Sequence, residues 1–256
     1  MDTPLNAVLL VCGPVLLSMA GLLLVRRYVA IDWLKRHHEV ASYFFLMIGT
    51  LYAVLVAFAV YVAWTEFNNA ATNLEHEATE AADLSRLSTA MPMPVRRDIS
   101  SALMGYLESV VKDEFPAMAH GGDSQRTWDA VQTLWDAYGR FQPADPQMQA
   151  YLAESLKHLT QLSDYRRTRL FASRRSVPSS LWCLLISGGI VLIAFTYFLG
   201  HESVWSQAAM TAALAGILSF SLFLVLSLDS PYSGVARVTP RAFVLELDHV
   251  AARAPK

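Results

Sequence analysis

Four long stretches of the chain contain no charged residue, and polar segments separate them. They cover residues 3–25, 40–65, 176–200 and 203–228. Even the shortest of them exceeds the ~20 apolar residues that a helix needs to cross the hydrocarbon core of a bilayer. Because backbone polar groups within lipid must bond inside their own segment, each stretch predicts a membrane-spanning helix.

The polar segment between the second and third spans has the pattern of a helical bundle. Residues 66–90 lack Pro and Gly and are rich in Ala, Glu and Leu, so the second span predicts one continuous helix over residues 40–90. Apolar residues at helical spacing and the start signal Asp145-Pro146 predict further helices. These cover residues 95–115, 125–141 and 146–172, and an amphipathic helix over residues 240–252 is expected to pack on them.

The pattern predicts an all-α membrane protein, with four transmembrane helices and a helical extramembrane bundle inserted between the second and third spans. The expected divisions are residues 1–65 for two spans and an interfacial linker, 66–177 for the insert, 178–228 for a transmembrane hairpin, and 229–256 for a turn and the amphipathic helix. The linker, residues 26–39, mixes aromatic and basic side chains, which suits a membrane–water interface. We expect a short surface helix there, with a solvated connector as the alternative.

Composition agrees with a membrane protein and excludes several other classes. Charged residues make up 16% of the chain, against about 25% in soluble domains. A net charge of −2 gives no indication of a nucleic-acid partner. Both cysteines, Cys12 and Cys183, fall in predicted spans, which argues against a thiolate zinc site. Catalytic motifs such as HExxH and GxSxG do not occur, so we predict no enzyme, no metal site and no cofactor.

Basic residues near the ends of the spans predict the orientation. Four spans place both termini and the insert on one side, where seven arginines flank the spans: Arg166, Arg167, Arg169, Arg174, Arg175, Arg237 and Arg241. The linker on the other side has four basic residues: Arg26, Arg27, Lys35 and Arg36. Because cytoplasmic segments carry an excess of Lys and Arg, we expect a multi-pass protein of the inner (plasma) membrane with both termini and the insert in the cytoplasm. The first five of the seven are expected to face anionic lipid headgroups, with a plain stop-transfer anchor as the alternative.

Small residues recur every four positions along the second span, at Gly49, Ala53 and Ala57, and the hydroxyls of Thr50 and Tyr61 lie close to them. Close packing between helices explains such a stripe. A narrow pore lined by small side chains is the functional interpretation. Four helices are too few to enclose a water path, so a pore would require a ring of subunits.

Acidic residues follow on the same predicted helix, and no Lys or Arg occurs between residues 37 and 85. The acids in question are Glu66, Glu75, Glu77, Glu80 and Asp83. Facing an axial vestibule, they would form acidic rings that concentrate cations. Facing outward, they would form an ordinary solvated helix surface.

Short motifs spread over residues 36–243 resemble those of a known family. The main ones are the second-span run IGTLYAVL at residues 48–55, the run FTYFLG at residues 195–200 and the run LDSPYSG at residues 228–234. With these motifs the chain resembles the bestrophin-like domain family, whose members are largely uncharacterised membrane proteins common in bacteria.

The resemblance implies kinship with the bestrophins, which are homopentameric ion channels. Bestrophins have four membrane helices, a cytosolic helical body and a pore lined by the second membrane helix; eukaryotic members are calcium-activated anion channels, and bacterial relatives can pass cations. The implied partners are therefore membrane lipids, further copies of the chain and permeating inorganic ions. Bestrophins also carry a calcium-binding acidic cluster after the fourth span, where this chain has only Asp229, and no aromatic neck motif aligns with its second span.

The leading hypothesis is a homo-oligomeric ion channel whose axial pore is lined by the second span, with cations slightly favoured over anions. The alternative is a membrane-anchored signalling or scaffold protein whose insert binds a partner or ligand. The aromatic face formed by Trp128, Trp135 and Tyr138 would then be a binding groove, although bundle core explains such a face as well. A membrane enzyme ranks third, because no catalytic constellation is present.

Overall fold

The computed structural model describes residues 4–29, 31–174, 177–199 and 203–253. These residues form nine α-helices and one π-helical turn, and no strand occurs among them. The helices are α1 (Pro4–Tyr28), α2 (Ile31–Ser88), α3 (Met93–Ser109), α4 (Phe115–Met118), α5 (Gln125–Gly139), α6 (Pro146–Arg174), α7 (Ser179–Phe198), α8 (Val204–Asp229) and α9 (Arg241–Arg253), and the π-helical turn is Val110–Glu114. The predicted all-α class is confirmed.

Four of the described helices, α1, α2, α7 and α8, are long and apolar enough to cross a membrane. Helix α2 has 58 residues and begins at Ile31, nine positions before the predicted start. Residues 31–39 therefore belong to α2 and do not form a separate surface helix. Since no Pro or Gly occurs between Gly49 and Pro92, nothing in the sequence ends this helix earlier. Residues 200–202, within the predicted transmembrane hairpin, lie outside the described residues.

The chain divides into two compact units. The membrane unit comprises Met1–Glu66 and Ser176–Asp229, and the insert unit comprises Phe67–Arg175 and Ser230–Lys256. The C-terminal segment therefore belongs with the insert. Phe243 of α9 is fully buried in the same core as Leu103 and Leu107 of α3. Burial of one apolar stripe explains why this short amphipathic helix is formed.

Tyr52 holds α2 against α7 in the membrane unit. Its side chain is only 5% exposed and packs with Leu192 and Leu218, and its hydroxyl donates to the carbonyl oxygen of Leu185 at 2.8 Å. A Cβ atom at Gly188 would lie 2.7 Å from two ring carbons of Tyr52. The missing side chain at residue 188 thus allows the two helices to approach closely.

Gln207 of α8 closes one end of the membrane unit. Its amide nitrogen donates to the carbonyl oxygens of Thr196 and Tyr197 at 3.0 and 3.3 Å. Its own carbonyl oxygen accepts from the guanidinium of Arg26 at 2.6 Å. The hydroxyl of Tyr197 donates to the carbonyl oxygen of Ser18 at 2.9 Å. Carbonyl groups at a helix C-terminus lack intrahelical hydrogen-bond partners. The contacts of Gln207 provide such partners for α7, and together with Tyr197 they link α7 to α1 and α8.

Asp229 closes the other end of the membrane unit. Its carboxylate accepts from the backbone N–H of Val177, just before α7, and from the indole of Trp182. Further along the same motif, Gly234 has a φ of +90°, which a residue with a side chain rarely adopts. The motif at residues 228–234 therefore has a structural role, since it joins the ends of α7 and α8 and forms the turn that follows.

We expect the substitution Gly188→Ala to destabilise the membrane unit by about 1–3 kcal/mol, because the new methyl group would overpack the ring of Tyr52. The matched control is Gly49→Ala, whose Cβ would lie at an ordinary 3.6 Å from the Leu192 side chain. Thermal unfolding in mild detergent measures both. Equal melting temperatures for the two variants would contradict the packing described here.

Candidate functional site: the second helix and a buried charge cluster

Most of the surface of α2 stays exposed along its membrane-spanning part, and Leu51 and Phe58 are among the exposed residues. Only a narrow side is buried, at Tyr52, Ala59 and Ala63. Residues three and four apart share a side of a helix, and seven such positions form what we call the exposed face of α2: Tyr43, Met47, Thr50, Val54, Ala57, Tyr61 and Trp64. In a single chain, these side chains have no protein layer over them.

The stripe of small residues does not stay on one side of α2. A spacing of four residues advances about 400° around a helix, so such a stripe drifts about 40° at each step. Gly49 accordingly lies half-buried, and its Cβ would contact Leu192 of α7. Ala53, Ala57 and Tyr61 are exposed. Gly49 therefore belongs to the packing face, whereas the other positions of the stripe remain candidates for lining a pore.

The acidic residues predicted for a vestibule separate into three groups. Glu66 and Glu75 are exposed. Asp83 forms an ion pair with Arg86 at 2.9 Å, and a carboxylate oxygen of Glu80 lies 2.6 Å from His158 Nδ1. Glu77 is fully buried. The prediction that Glu77 faces an open vestibule is wrong, because its carboxylate is enclosed by the core of the insert unit.

Glu77 belongs to a buried cluster of two carboxylates and two guanidinium groups. Arg169 of α6 donates from Nε to Glu77 at 2.7 Å and from Nη2 to Glu114 at 2.7 Å. Arg166 donates to Glu114 as well. The hydroxyl of Tyr106 donates to Glu77. The formal charges of this charge cluster cancel, as buried charges require.

Burial perturbs the ionisation of the cluster. Burial itself, followed by the charge of Glu77, raises the pKa of Tyr106 well above its ordinary value, so its hydroxyl keeps its proton and donates. Burial alone would lower the pKa of Arg169, but attraction to Glu77 and Glu114 outweighs it and holds that pKa well above its ordinary value. Arg169 therefore remains a cation in the protein interior.

The π-helical turn Val110–Glu114 supplies the second carboxylate of the cluster. Its wider hydrogen bond joins the N–H of Phe115 to the carbonyl oxygen of Val110. One extra residue in a turn rotates everything beyond it by about 100° relative to an α-helix. Glu114 and Phe115 are both buried in this arrangement. No signal in the sequence predicted the turn.

The arginines before the third span were expected to face lipid headgroups, and for Arg166 and Arg169 this is wrong, since both are buried. Arg167 and Arg174 are exposed and pair with Asp164 at 3.5 Å and Asp123 at 3.2 Å. Arg175 lies outside the described residues. A signal for the buried pair was present in the sequence, because Arg166 and Arg169 continue the apolar stripe of α6. The buried members of that stripe are Ser155, Leu159, Leu162, Arg166 and Arg169.

The aromatic face of α5 belongs mainly to the bundle core. Tyr138 is 1% exposed, and Trp135 is partly buried and donates to Ser163 at 3.2 Å. Trp128 is 43% exposed, but the guanidinium of Arg166 lies over its ring, 4.1 Å from the centroid. Trp128 thus covers Arg166 of the charge cluster, and the face offers little open surface as a groove.

The comparison with known families agrees with this architecture. The model of the Bestrophin-like domain matches residues 12–243. The chain belongs to the Bestrophin-like family. The resemblance based on the sequence motifs is therefore confirmed, and it extends over most of the chain. Membership of this family, together with the fold, supports an ion-channel kind of function in a membrane protein and fits a protein that is not an enzyme.

Solved structures share the fold of this Bestrophin-like chain at low sequence identity. A bacterial bestrophin homologue from Klebsiella pneumoniae, solved by zinc phasing, is 13% identical with a TM-score of 0.66, over 95% of this chain and 96% of the other. A single-substitution variant of such a homologue, also from Klebsiella pneumoniae, is 12% identical with a TM-score of 0.67, over 95% and 98% of the two chains. A structure described only as a membrane protein gives 14% identity and a TM-score of 0.70, over 98% and 99%. No match is found among curated proteins.

We expect the substitution Arg169→Met to lower the free energy of unfolding by about 3–5 kcal/mol, because it leaves two buried carboxylates short of a counter-charge. Adding Glu77→Gln should restore part of the loss, since it removes one uncompensated charge. Arg167→Met is the matched control on the same helix, and it should change stability by less than about 0.5 kcal/mol because its side chain is exposed. Chemical unfolding in mild detergent, followed by circular dichroism, measures all three. Similar values for the two single variants would contradict a structural role for the cluster.

Proposed function

We propose that the chain assembles into a homo-oligomeric ion channel, in which the membrane-spanning part of α2 lines an axial pore. The observation that carries the proposal is the exposed face of α2, which a single chain leaves without protein cover. Four helices cannot enclose a water path, so that face would line a pore only around a symmetry axis. The hydroxyls of Thr50 and Tyr61 and the small side chain of Ala57 would border the path. In bestrophins the second membrane helix has this role within a pentamer, and we propose the same assembly here.

Charge preference is assigned to Glu75, with cations slightly favoured over anions. Glu75 is 18 positions beyond Ala57, which corresponds to about five full turns of a helix. By helical phase it therefore falls on the side of Ala57, Thr50 and Tyr61. Glu66 is nine positions beyond Ala57, about two and a half turns, and so falls on the opposite side. Carboxylates repeated around an axis attract cations and repel anions.

We place the channel in the inner membrane, with both termini and the insert in the cytoplasm. The excess of arginines on the side of the insert supports this orientation. Because Arg166 and Arg169 are buried, they are not available to lipid headgroups. Both still count among the basic residues near the spans, and the proposed orientation rests on that count.

The substitution Ala57→Leu should abolish or strongly reduce ion flux into liposomes, because a larger apolar side chain on the exposed face of α2 narrows and dries the path. Ala213→Leu is the matched control, since Ala213 is an exposed small residue on α8. Oligomeric state is measured on both variants by size-exclusion chromatography. Unchanged flux in an intact Ala57→Leu oligomer would remove α2 from the pore wall.

Glu75→Gln should lower the ratio of cation to anion permeability, whereas Glu66→Gln should leave that ratio unchanged. Reversal potentials across planar bilayers under a salt gradient measure both variants against the parent. A shift caused by Glu66→Gln and not by Glu75→Gln would place the vestibule on the other side of α2.

A further inference from the structure

A half-open apolar groove lies in the membrane unit between α1, α7 and α8. Its volume is about 530 Å³, which is typical of sites that hold organic molecules. Residues from all three helices line it, including Leu10, Pro14, Trp182, Ile190, Leu222 and Leu226. We call it the α1–α7–α8 groove.

Two small residues, Gly189 of α7 and Ser219 of α8, belong to the lining of the groove. A Cβ atom at Gly189 would lie 3.1 Å from the hydroxyl oxygen of Tyr52, so this glycine makes room for Tyr52 of α2. Pro14 interrupts the regular packing of α1, since proline inside a helix removes a hydrogen bond and bends the axis. An apolar molecule in the groove supplies the dispersion contacts that its lining otherwise lacks.

The rims of the groove are continuous with the lipid-facing surface of the membrane unit. Leu17 on α1 is 76% exposed, Ile190 on α7 is 63% exposed, and Ile186 one turn before it is 49% exposed. All lining residues lie on the membrane-spanning helices α1, α7 and α8. An occupant can therefore enter sideways from the hydrocarbon of the bilayer, and it must itself be apolar.

The groove is no longer than one leaflet. Along α7 it extends from Trp182, near the start of the helix, to Ile193, along α1 from Leu10 to Leu17, and along α8 from Leu218 to Leu226. At ~1.5 Å per residue these lengths are about 16, 10 and 12 Å, and half of the hydrocarbon core is about 15 Å thick. Trp182 lies at the end of the groove nearest the start of α7, and its indole is hydrogen-bonded to Asp229. Tryptophan is typical of the membrane–water interface.

We propose that the α1–α7–α8 groove is a binding site for one acyl chain of a phospholipid from the leaflet in which α7 begins. The chain lies along α7 from Trp182 towards Ile193, and the headgroup remains at the interface beside Trp182. The site takes the hydrocarbon chain and not a particular headgroup, because its lining carries no charged side chain. It does not depend on the channel function proposed above.

Photolabelling tests the proposal on the full-length protein. The chain is reconstituted into vesicles of phosphatidylethanolamine and phosphatidylglycerol that contain a small fraction of phosphatidylcholine with a diazirine on its acyl chain. After illumination, peptide mass spectrometry maps the labelled residues. We expect several-fold more label on groove residues such as Leu10 and Leu222 than on Ile217, which is 66% exposed on α8 and lies outside the groove.

Two substitutions on α8 provide the matched comparison. Leu222→Trp fills the groove and should reduce labelling of α1 and α7 several-fold, whereas Ile217→Trp should leave it unchanged. If Leu222→Trp fails to fold, the labelling map of the parent protein decides alone. Label spread in proportion to exposure would show ordinary bilayer contact and overturn the proposal. The proposal would also be overturned if the groove stayed unlabelled and Leu222→Trp dissociated the oligomer. That result would identify a second copy of the chain as the occupant of the groove.

Discussion

A guanidinium group with no access to water must be surrounded by acceptors, and this requirement organises the insert unit. Arg169 is 0% exposed, and its partners come from three places in the sequence: Glu77 on α2, Glu114 on the π-helical turn and Met118 on α4, whose sulfur lies 2.8 Å from Nη1. Removing such charges from water costs several kcal/mol for each ion. Only an arrangement that brings all partners together offsets that cost, so the cluster fixes the register of α2, α6 and the turn.

Helix α2 takes part in both units. In the membrane unit its Tyr52 packs against α7 and donates to Leu185, and in the insert unit its Glu77 accepts from Arg169. No Pro occurs within α2 and no Gly occurs in it beyond residue 49, so the helix continues from one set of contacts to the other. Each unit therefore anchors a different part of the same helix.

The motifs that the chain shares with its family have identifiable physical roles. The run at residues 195–200 supplies the carbonyl oxygens that Gln207 caps and the tyrosine whose hydroxyl reaches α1. Asp229 in the later motif accepts hydrogen bonds from Val177 and Trp182. The single carboxylate of Asp229, at the end of the fourth span, thus joins α7 to α8. These two motifs indicate the fold, because each one closes an end of the membrane unit, and they carry little information about which ion is transported.

Hydrophobic pattern alone determined the four membrane helices and the helical insert, because both depend on local composition and on periods that a sequence displays directly. The family followed from the resemblance of short motifs. The sequence also located α6 closely, since the Asp145-Pro146 pair is a local start signal. It could not determine which carboxylates are buried. Glu77 and Glu114 look like solvated residues in the sequence. Only their pairing with Arg169 and Arg166 in three dimensions compensates for their burial. The sequence also grouped Gly49 with Ala57, because residues spaced four apart look like one stripe on a helix. The stripe in fact drifts by about 40° at each step, which turns Gly49 towards α7. The positions of the helices were therefore decided by the sequence. Which helix faces and which charged residues become buried was decided by tertiary packing, because the residues that contact them are distant in the chain.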